Sequence, residues 1–406
     1  MVRTVMALWC VAGAVAGCCS PAAPPVRLGP APAQLPITGR TPVEPDVSAV
    51  PTDAPSAPAR RPTEYRRLTA AECRSLAVAN APMADDLDHH PESAPSVHPK
   101  SHQDAARNAE TSRLVRGHAA DELRNRAAGE ALDEFFKLAH AEGQFDLLAA
   151  AGAELRAQLS VALKAEQGGL KDRADIPGLR RKLLDLETQR AKLEASAGAL
   201  NASLRARLNL AANDPLPLWP ADPLKVSAGD PDVEQAVATG LRYRPDLNLL
   251  RILADGSGGE MANAVLTNLS PLLGKLNSNN PLAALLAPIL GPLAREPKRQ
   301  KAAATARIAG ILHSRERQAE AEIRAAAAMV RGDRAAVAAR VLDVKQVESR
   351  IEELQTRQKA GMNVTADLVS AKIDLLKAKG DLLTAVTDWH SAEVKLHQAM
   401  GLLVRE

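Results

Sequence analysis

The stretch LVSAKIDLLKAKGDLLTAVTDWHSAEVKLHQAM, residues 368–400, decides the fold because its apolar side chains recur at helical spacing. A large apolar residue stands at every seventh position, and an alanine follows three residues after each. The large residues are Leu368, Leu375, Leu382, Trp389 and Leu396, and the alanines are Ala371, Ala378, Ala385, Ala392 and Ala399. The pattern predicts a long helix with an a/d seam, on which small side chains let a neighbouring helix approach closely.

A glycine-marked turn, Lys359-Ala-Gly-Met-Asn-Val-Thr-Ala-Asp367, precedes this helix, so a second helix must lead into the turn. The residues before the turn supply it, because apolar residues again stand at every seventh position. They are Ile323, Val330, Val337, Val344 and Ile351. The sequence therefore predicts a long antiparallel hairpin with its tip at residues 361–367, and a positive φ at Gly361.

Composition favours long helices and gives no sign of catalysis. The 406 residues are 2% aromatic with a formal net charge of +3, and alanine and leucine are interleaved with charges. This is typical of coiled coils, and the balanced charge excludes the basic footprint of a nucleic-acid-binding protein. The sequence shows no Ser/His/Asp set, no phosphate-binding glycine loop and no metal-ligand spacing on a helix, so we expect no enzyme, no metal and no cofactor.

The N-terminus predicts export and a lipid anchor. Arg3 precedes a short apolar run, and Val15-Ala-Gly17 precedes Cys18. The run is too short to stay in a membrane as a spanning helix. The small residues before Cys18 resemble a bacterial lipobox, whose cysteine is lipidated; an ordinary signal peptide ending in cysteines is the alternative. Residues 1–17 are thus predicted as a signal peptide, and residues 18–65, rich in Pro and Ala, as an extended tether at the membrane surface.

The rest of the chain reads as two similar halves, each with a short helix, a variable segment and a long hairpin. Residues 66–212 are the first predicted repeat with its tip near 168–175, residues 213–230 a proline-rich connector, and residues 231–406 the second repeat. Thr69 can cap the first short helix, and Asp175 can cap the helix that returns from the first tip.

A motif that occurs once in each half of the sequence supports the duplication. Gly169-x-x-x-x-Ala174-Asp175-Ile176 matches Gly361-x-x-x-x-Ala366-Asp367-Leu368 with an offset of 192 residues (361 − 169). The same offset aligns Leu204 with Leu396. Two tandem copies of one supersecondary unit are the economical explanation.

The two variable segments differ from the hairpins. Residues 85–102 hold His89, His90, His98 and His102 among prolines. A metal-binding tract and a solvated loop are both compatible with them, and the prolines favour the loop because they prevent a fixed helical spacing of ligands. Residues 261–294 are apolar but broken by prolines and polar residues, which excludes a spanning helix. They fit either short helices packed on the body or a membrane-proximal surface.

Taken together, residues 66–406 resemble the TolC-like outer-membrane efflux family. The most specific matches are Tyr243-Arg-Pro-Asp-Leu247, residues 361–376, and Leu396-His-Gln-Ala-Met-Gly401; Arg299–Val330 resembles the family's long helix entering the second hairpin. The Cys18 lipobox fits as well, since many members are lipoproteins. The resemblance implies a homotrimer in which each chain gives two helical hairpins to a periplasmic tunnel and four strands to an outer-membrane barrel.

The resemblance also implies partners: the hairpin tips dock on a periplasmic adaptor (a membrane fusion protein), which links the duct to an inner-membrane pump. Carried over by position, the tip residues are Gly169, Lys171, Asp175, Gly361, Asn363, Thr365 and Asp367. The family places its strands in the two variable segments, but neither segment here alternates apolar and polar residues over about 10 positions. Two hypotheses therefore stay open: an efflux duct in the outer membrane, or a barrel-less periplasmic scaffold.

Overall fold

A computed structural model describes residues 37–39, 45–46, 64–89, 102–168, 175–255 and 301–405. These residues form eight helices and five short strands. The helices are α1 (Ala70–Ala79), α2 (Pro82–His89), α3 (His102–Gln167), α4 (Ile176–Arg207), α5 (Val233–Tyr243), α6 (Pro245–Asp255), α7 (Lys301–Lys359) and α8 (Thr365–Met400). The strands are β1 (Ile37–Gly39), β2 (Pro45–Asp46), β3 (Glu64–Leu68), β4 (Leu218–Pro220) and β5 (Leu224–Lys225). The prediction of a mainly helical chain with two long hairpins is confirmed.

The four long helices form one layer in the order α4–α3–α8–α7. Helix α3 packs on α4 and on α8, and α8 packs on α7 as well as on α3. Helix α3 has 66 residues and α7 has 59, which corresponds to lengths of about 100 and 90 Å at 1.5 Å per residue. The two hairpins thus lie side by side, and α3 and α8 join them.

The heptad pattern places the second hairpin's core where the sequence predicts it. All five residues of the α7 track, Ile323, Val330, Val337, Val344 and Ile351, are buried. On α8 the seam is buried at Leu382, Trp389 and Leu396, whereas Leu368 and Leu375 are half-buried near the tip. Residues of both helices belong to one buried apolar cluster, which contains Val337 and Val344 of α7 with Leu382, Ala385 and Trp389 of α8.

Matching caps show that the two repeats share their local structure. Thr69 caps α1 in a capping box with Glu72, accepting from the Glu72 amide at 3.2 Å, and Asp232 caps α5 by accepting from the Gln235 amide at 3.1 Å. The two caps are 163 residues apart (232 − 69), as are Pro82 and Pro245, which begin α2 and α6. These side chains satisfy backbone amides that the first helical turn leaves without partners.

The second helix of each hairpin also ends in the same way. Asn209 after α4 has φ = 50° and Gly401 after α8 has φ = 73°, 192 residues apart (401 − 209). Both ends show the paired backbone bonds of a Schellman motif. The bonds are Asn209 N to Ala206 O at 3.4 Å, Leu210 N to Arg205 O at 2.9 Å, Gly401 N to Gln398 O at 3.0 Å and Leu402 N to His397 O at 3.0 Å.

Both repeats have an ion pair between the short helix and the long helix at the same place, but the acidic and basic residues are exchanged. Arg124 on α3 binds Asp88 on α2 at 2.6 Å, and Glu316 on α7 binds Arg251 on α6 at 2.8 Å. The short-helix residues are 163 apart (251 − 88) and the long-helix residues are 192 apart (316 − 124). An exchange of the two short helices would bring like charges together at both places, so the pairs favour the observed arrangement, in which α6 packs on α3 as well as on α7.

The strands correct the sequence analysis at two places. The range predicted as an extended tether contains β1 and β2, and the proline-rich connector contains β4 and β5. β3 pairs with β1 (antiparallel) and β4 (parallel), and β2 pairs with β5 (parallel). Buried residues hold these pairings together, with the Tyr65 ring 5.1 Å from the Trp219 ring. Segments of two to five residues that pair across the chain carry too little periodicity to be predicted locally.

The variable segments are only partly described. The predicted polar loop begins at Asp85, but Asp85–His89 form the end of helix α2, because Pro82 is tolerated in a first helical turn. His90, His98, the prolines around them and residues 261–294 lie outside the described residues, whereas His102 is the first residue of helix α3. Within the ranges given above, no helix is both long enough and apolar enough to cross a membrane. The boundaries of the repeats remain predictions.

We predict that Gly401→Ala lowers the free energy of unfolding by about 2 kcal/mol, because a side chain at this left-handed position is strained and crowded. A Cβ at residue 401 would stand 2.9 Å from both the Cα of Arg244 and the Cδ of Pro245. Gly310→Ala is the matched control: Gly310 lies in α7 with open space around a Cβ, so alanine there should raise stability by up to about 1 kcal/mol. Urea unfolding of the full chain measures both, and equal shifts would contradict the argument.

Candidate functional site

The tip of the second hairpin is a Schellman turn centred on a glycine. Gly361 follows the end of α7 with φ = 86°, which confirms the positive φ predicted for it. Its amide donates to the carbonyl of Gln358 at 3.0 Å, and the amide of Met362 donates to the carbonyl of Arg357 at 3.1 Å. These two bonds close the last turn of α7 and reverse the chain.

The turn presents an apolar side chain to solvent. Met362 is 50% exposed, and Gly361 and Asn363 beside it are exposed too. Val364 turns the other way and packs against a small cluster that includes Ile351 and Ala371. The turn is therefore anchored from inside, while Met362 and Asn363 face outward. The sequence analysis did not single out Met362, because one methionine in a turn carries no pattern.

Two predicted turn residues lie in a helix instead. Helix α8 begins at Thr365, so Thr365 and Asp367 are exposed residues of its first turn. Val364 is the N-cap and makes no side-chain cap. The carboxylate of Asp367 near the helix N-terminus is favourable without capping, because the helix dipole is positive there. Asp175 and Asp367 occupy equivalent positions in the repeated motif, but they have different roles, because Asp175 caps its helix and Asp367 does not.

At the first tip only the helix start is described. Asp175 is exposed and caps α4, accepting from the Gly178 amide at 2.9 Å, and Pro177 occupies the first turn as predicted. Gly169 and Lys171 lie outside the described residues, and so does Cys18. The contact role assigned to all of these positions remains a prediction.

Contacts behind the tips tie the two hairpins together. Lys372 of α8 binds Glu154 of α3 at 3.2 Å. The next residue, Ile373, packs against the apolar cluster of α3 and α4 that contains Leu155 and Leu179. The described ends of both hairpins therefore belong to one four-helix layer and lie at a common end of it.

The contact between the two hairpins, formed by α3 and α8, contains polar side chains and glycines. The Gln144 side chain of α3 donates to the carbonyl of Gly380 on α8 at 2.9 Å. Near the other end, the Asn125 side chain donates to the carbonyl of Gln398 at 2.9 Å and accepts from the Leu403 amide at 3.2 Å. These bonds satisfy buried backbone groups across the seam and fix the axial register of α3 and α8.

His390 packs in this contact between α3 and α8 rather than serving as a metal ligand. Its ring is 8% exposed and stacks on Phe136 of α3, with ring centroids 4.5 Å apart and planes 10° from parallel. Burial lowers the pKa of His390 to about 4, so the ring is neutral at physiological pH. Within the described part of the chain, no three His, Cys, Asp or Glu side chains are grouped closely enough to hold a metal ion.

The opposite end of the layer is fixed by a buried ionic cluster. Arg244 binds both carboxylate oxygens of Asp246 at 3.0 and 2.9 Å, and Arg315 of α7 binds the same carboxylate at 2.8 Å. Arg244 also reaches Glu322 of α7 at 2.7 Å and the carbonyl of Ala399 at 3.1 Å. The Arg-Pro-Asp-Leu stretch thus joins α6, α7 and the end of α8, a role that its spacing in sequence could not show.

Protonation balances the charge of this cluster. Burial favours a neutral Asp246, but the hydrogen bonds and charges of Arg244 and Arg315 outweigh it and lower the pKa of Asp246. Glu122 of α3 lies nearby, and burial together with the Asp246 charge raises the pKa of Glu122 to about 8. At neutral pH Glu122 is therefore protonated, and two arginines face two carboxylates, Asp246 and Glu322.

We predict that Gly361→Val opens the tip turn, because a β-branched residue at this φ costs about 1–2 kcal/mol in backbone strain. Amide exchange at residues 358–364 should become roughly 10-fold faster, as measured by hydrogen-exchange mass spectrometry. Ala360→Val is the control: Ala360 is equally exposed, and its φ is not positive. Equal exchange rates in the two variants would show that the turn does not depend on glycine.

Comparison with known proteins bears on the fold. The sequence matches no protein-family model and no curated protein. The structure is similar to the outer-membrane protein VceC of Vibrio cholerae, with a TM-score of 0.51 and 13% identity over 82% of this chain and 92% of that one. It is also similar to the open outer-membrane channel MtrE of Neisseria gonorrhoeae, with a TM-score of 0.53 and 13% identity over 82% and 89%. The structure is similar to CusC as well, which forms a transmembrane channel, with a TM-score of 0.52 and 11% identity over 83% of this chain and 96% of that one. The chain therefore has the helical fold of TolC-like outer-membrane channels.

Proposed function

We propose that this protein is a subunit of an outer-membrane export duct. One observation carries the proposal: the four-helix layer of long hairpins matches solved outer-membrane channels over most of both chains. Such a layer has few uses inside a single chain, because within the described residues long stretches of its two edge helices, α4 and α7, are exposed. Several layers placed side by side would form the wall of a tunnel, through which a substrate passes without chemical change.

We further propose that three copies form the duct and that the hairpin tips dock on a periplasmic adaptor, which links it to an inner-membrane pump. The number of copies and both partners come from the family resemblance. The tip geometry supports docking, since the turn holds Met362 and Asn363 outward while Val364 anchors it from inside. A rigid turn with an exposed apolar side chain suits a protein contact, because little conformational entropy is lost on binding.

A lipid anchor at Cys18 fits the strands of the N-terminal region. β1 pairs with β3 and β2 pairs with β5, so the chain is attached to the body at Ile37–Gly39 and at Pro45–Asp46. Ile37 stands 19 positions after Cys18 (37 − 18), and a chain of this length spans at most about 65 Å. A lipid on Cys18 would hold the β-strand region of the body within that distance of the membrane.

A specific observation favours a second candidate, the barrel-less periplasmic scaffold. The TolC-like family places membrane strands in the segment that here starts at Asp85, but Asp85–His89 continue helix α2. In the scaffold, the helical layer and its tips would still assemble and bind partners, but no aqueous path would cross the membrane.

Electrical recording on the purified full chain decides between the two candidates. We expect detergent-extracted protein to have the mass of three chains and to conduct ions stepwise in a planar bilayer. Heat-unfolded protein at the same concentration is the control for leakage caused by detergent. A folded trimer that gives no conductance would reject the duct and leave the scaffold.

Membrane attachment has a separate test. If Cys18 carries the lipid, Cys18→Ser should move most of the protein from the membrane fraction to the soluble periplasmic fraction, whereas Cys19→Ser, one residue on, should leave it membrane-bound. The measurement is immunoblotting of fractionated cells. Unchanged fractionation of Cys18→Ser would reject acylation as the anchor.

A further inference from the structure

The middle of helix α4 is packed much less tightly than its two ends. Residues 180–203 of this helix include no buried residue. Even Leu193, which lies on the same seven-residue track as the buried Leu179, is only half-buried. The ends are fixed, because Leu179 belongs to the apolar cluster next to the first tip and Leu204 belongs to the main apolar cluster. A weakly packed stretch therefore lies between two anchored ends.

The position of α4 at the edge of the layer does not explain this exposure, because α7 is an edge helix too. The two helices can be compared at one height. The Ser203 hydroxyl of α4 donates to Glu134 of α3 at 3.0 Å, and the α7 residue that stands 192 positions after Glu134 is Ala326. From this height toward the tip, the buried residues of α7 are Ala326, Ala327, Val330, Val337, Val341 and Val344. Over the same distance α4 has none.

The internal repeat shows which apolar side chains the first hairpin lacks. With the offset of 192 residues (361 − 169), three buried residues of the second hairpin have a charged or smaller counterpart in the first. The pairs are Leu382 with Arg190, Trp389 with Ala197, and Val344 with Gly152. All three replacements lie near the middle of the first hairpin, so the apolar core between α3 and α4 is interrupted there.

Polar contacts take the place of the missing apolar ones. The guanidinium of Arg190 lies over the Phe145 ring of α3, 4.6 Å from the ring centroid, and Arg156 of α3 pairs with Glu187 of α4 at 3.5 Å. Arg190 is exposed, and both side chains of the ion pair are more than half exposed. Exposed contacts of these kinds stabilise less than a buried leucine does, because water competes for the charged groups. The middle of this hairpin is therefore easier to open than its ends.

We propose that residues 186–197 of α4 form a flexible joint, in which α4 separates from α3 while both of its ends stay packed, and that the second hairpin has no such joint. Weakly packed stretches open locally at a lower free energy than a continuous core. The joint lets the first hairpin bend at Arg190, about 20 Å from the start of α4 at 1.5 Å per residue. This inference concerns the motion of a single chain and goes beyond the proposed duct.

Hydrogen-exchange mass spectrometry of the full chain in detergent tests the proposal. Residues 330–341 of α7 are the internal reference, because they lie at the height of residues 186–197 on the other edge helix. After correction for intrinsic exchange rates, we expect the amides of residues 186–197 to exchange roughly 10-fold faster than those of residues 330–341. Equal protection of the two segments would overturn the proposal. Equally fast exchange along the whole of α4 would overturn it as well, since the ends would then not be anchored.

A matched pair of variants tests the role of Arg190. Arg190→Leu introduces the residue of the second hairpin and should slow exchange at residues 186–197 roughly fivefold, because a leucine there packs on Phe145. Lys192→Leu makes the same change of charge, but Lys192 is exposed and two positions further on, so it points away from α3. This control should leave exchange unchanged. If Arg190→Leu slowed exchange no more than Lys192→Leu, the proposal would be wrong, whether or not the protein conducts ions.

Discussion

The structure depends on one constraint: every long helix of a single layer must bury apolar side chains on two opposite faces. Helices α3 and α8 meet it inside the chain, because each lies between two long neighbours. Small side chains make the spacing possible, as at Gly380, where the Gln144 side chain donates to the backbone carbonyl. Within the described residues, the edge helices α4 and α7 have a long neighbour on one side only. The need to cover their other side connects the fold of one chain to the assembly proposed for several.

The interactions that fix the two ends of the layer differ from those that hold its helices together along their length. Heptad packing alone would allow the helices to slide by a turn, because one alanine resembles the next. The buried cluster of Arg244, Asp246 and Arg315 removes that freedom at one end, since displacing it would leave a buried charge without its partner. The left-handed Gly401, packed against Arg244, positions the end of α8 on the same cluster. At the other end the turn at Gly361 is short and rigid. The protein therefore holds its tips at a defined distance from the junction, which suits a part that must meet a partner at a fixed place.

Local features of the sequence predicted most of the helical fold. The seven-residue tracks, the caps at Thr69 and Asp175 and the positive φ at Gly361 each depend on residues within one or two helical turns, and all are confirmed. Features that depend on distant residues were missed: β4 needs β3 about 150 positions earlier, and Arg315 meets Asp246 only after folding. The start of α8 was placed three residues too late, because a turn and a first helical turn share the same small polar residues. On the edge helix α7 the exposed Ala335 stands two positions before the buried Val337, but the sequence alone does not show which of the two is exposed.

The account's central claim is that this chain is one segment of a closed wall of helices. Electron cryomicroscopy of the purified full chain tests it most directly, because α4 and α7 are long enough to be traced at moderate resolution. The account predicts a ring of copies in which α4 of each chain contacts α7 of the next and all hairpin tips point to one end. A monomer, or a two-fold dimer in which α4 or α7 still faces solvent, would contradict it.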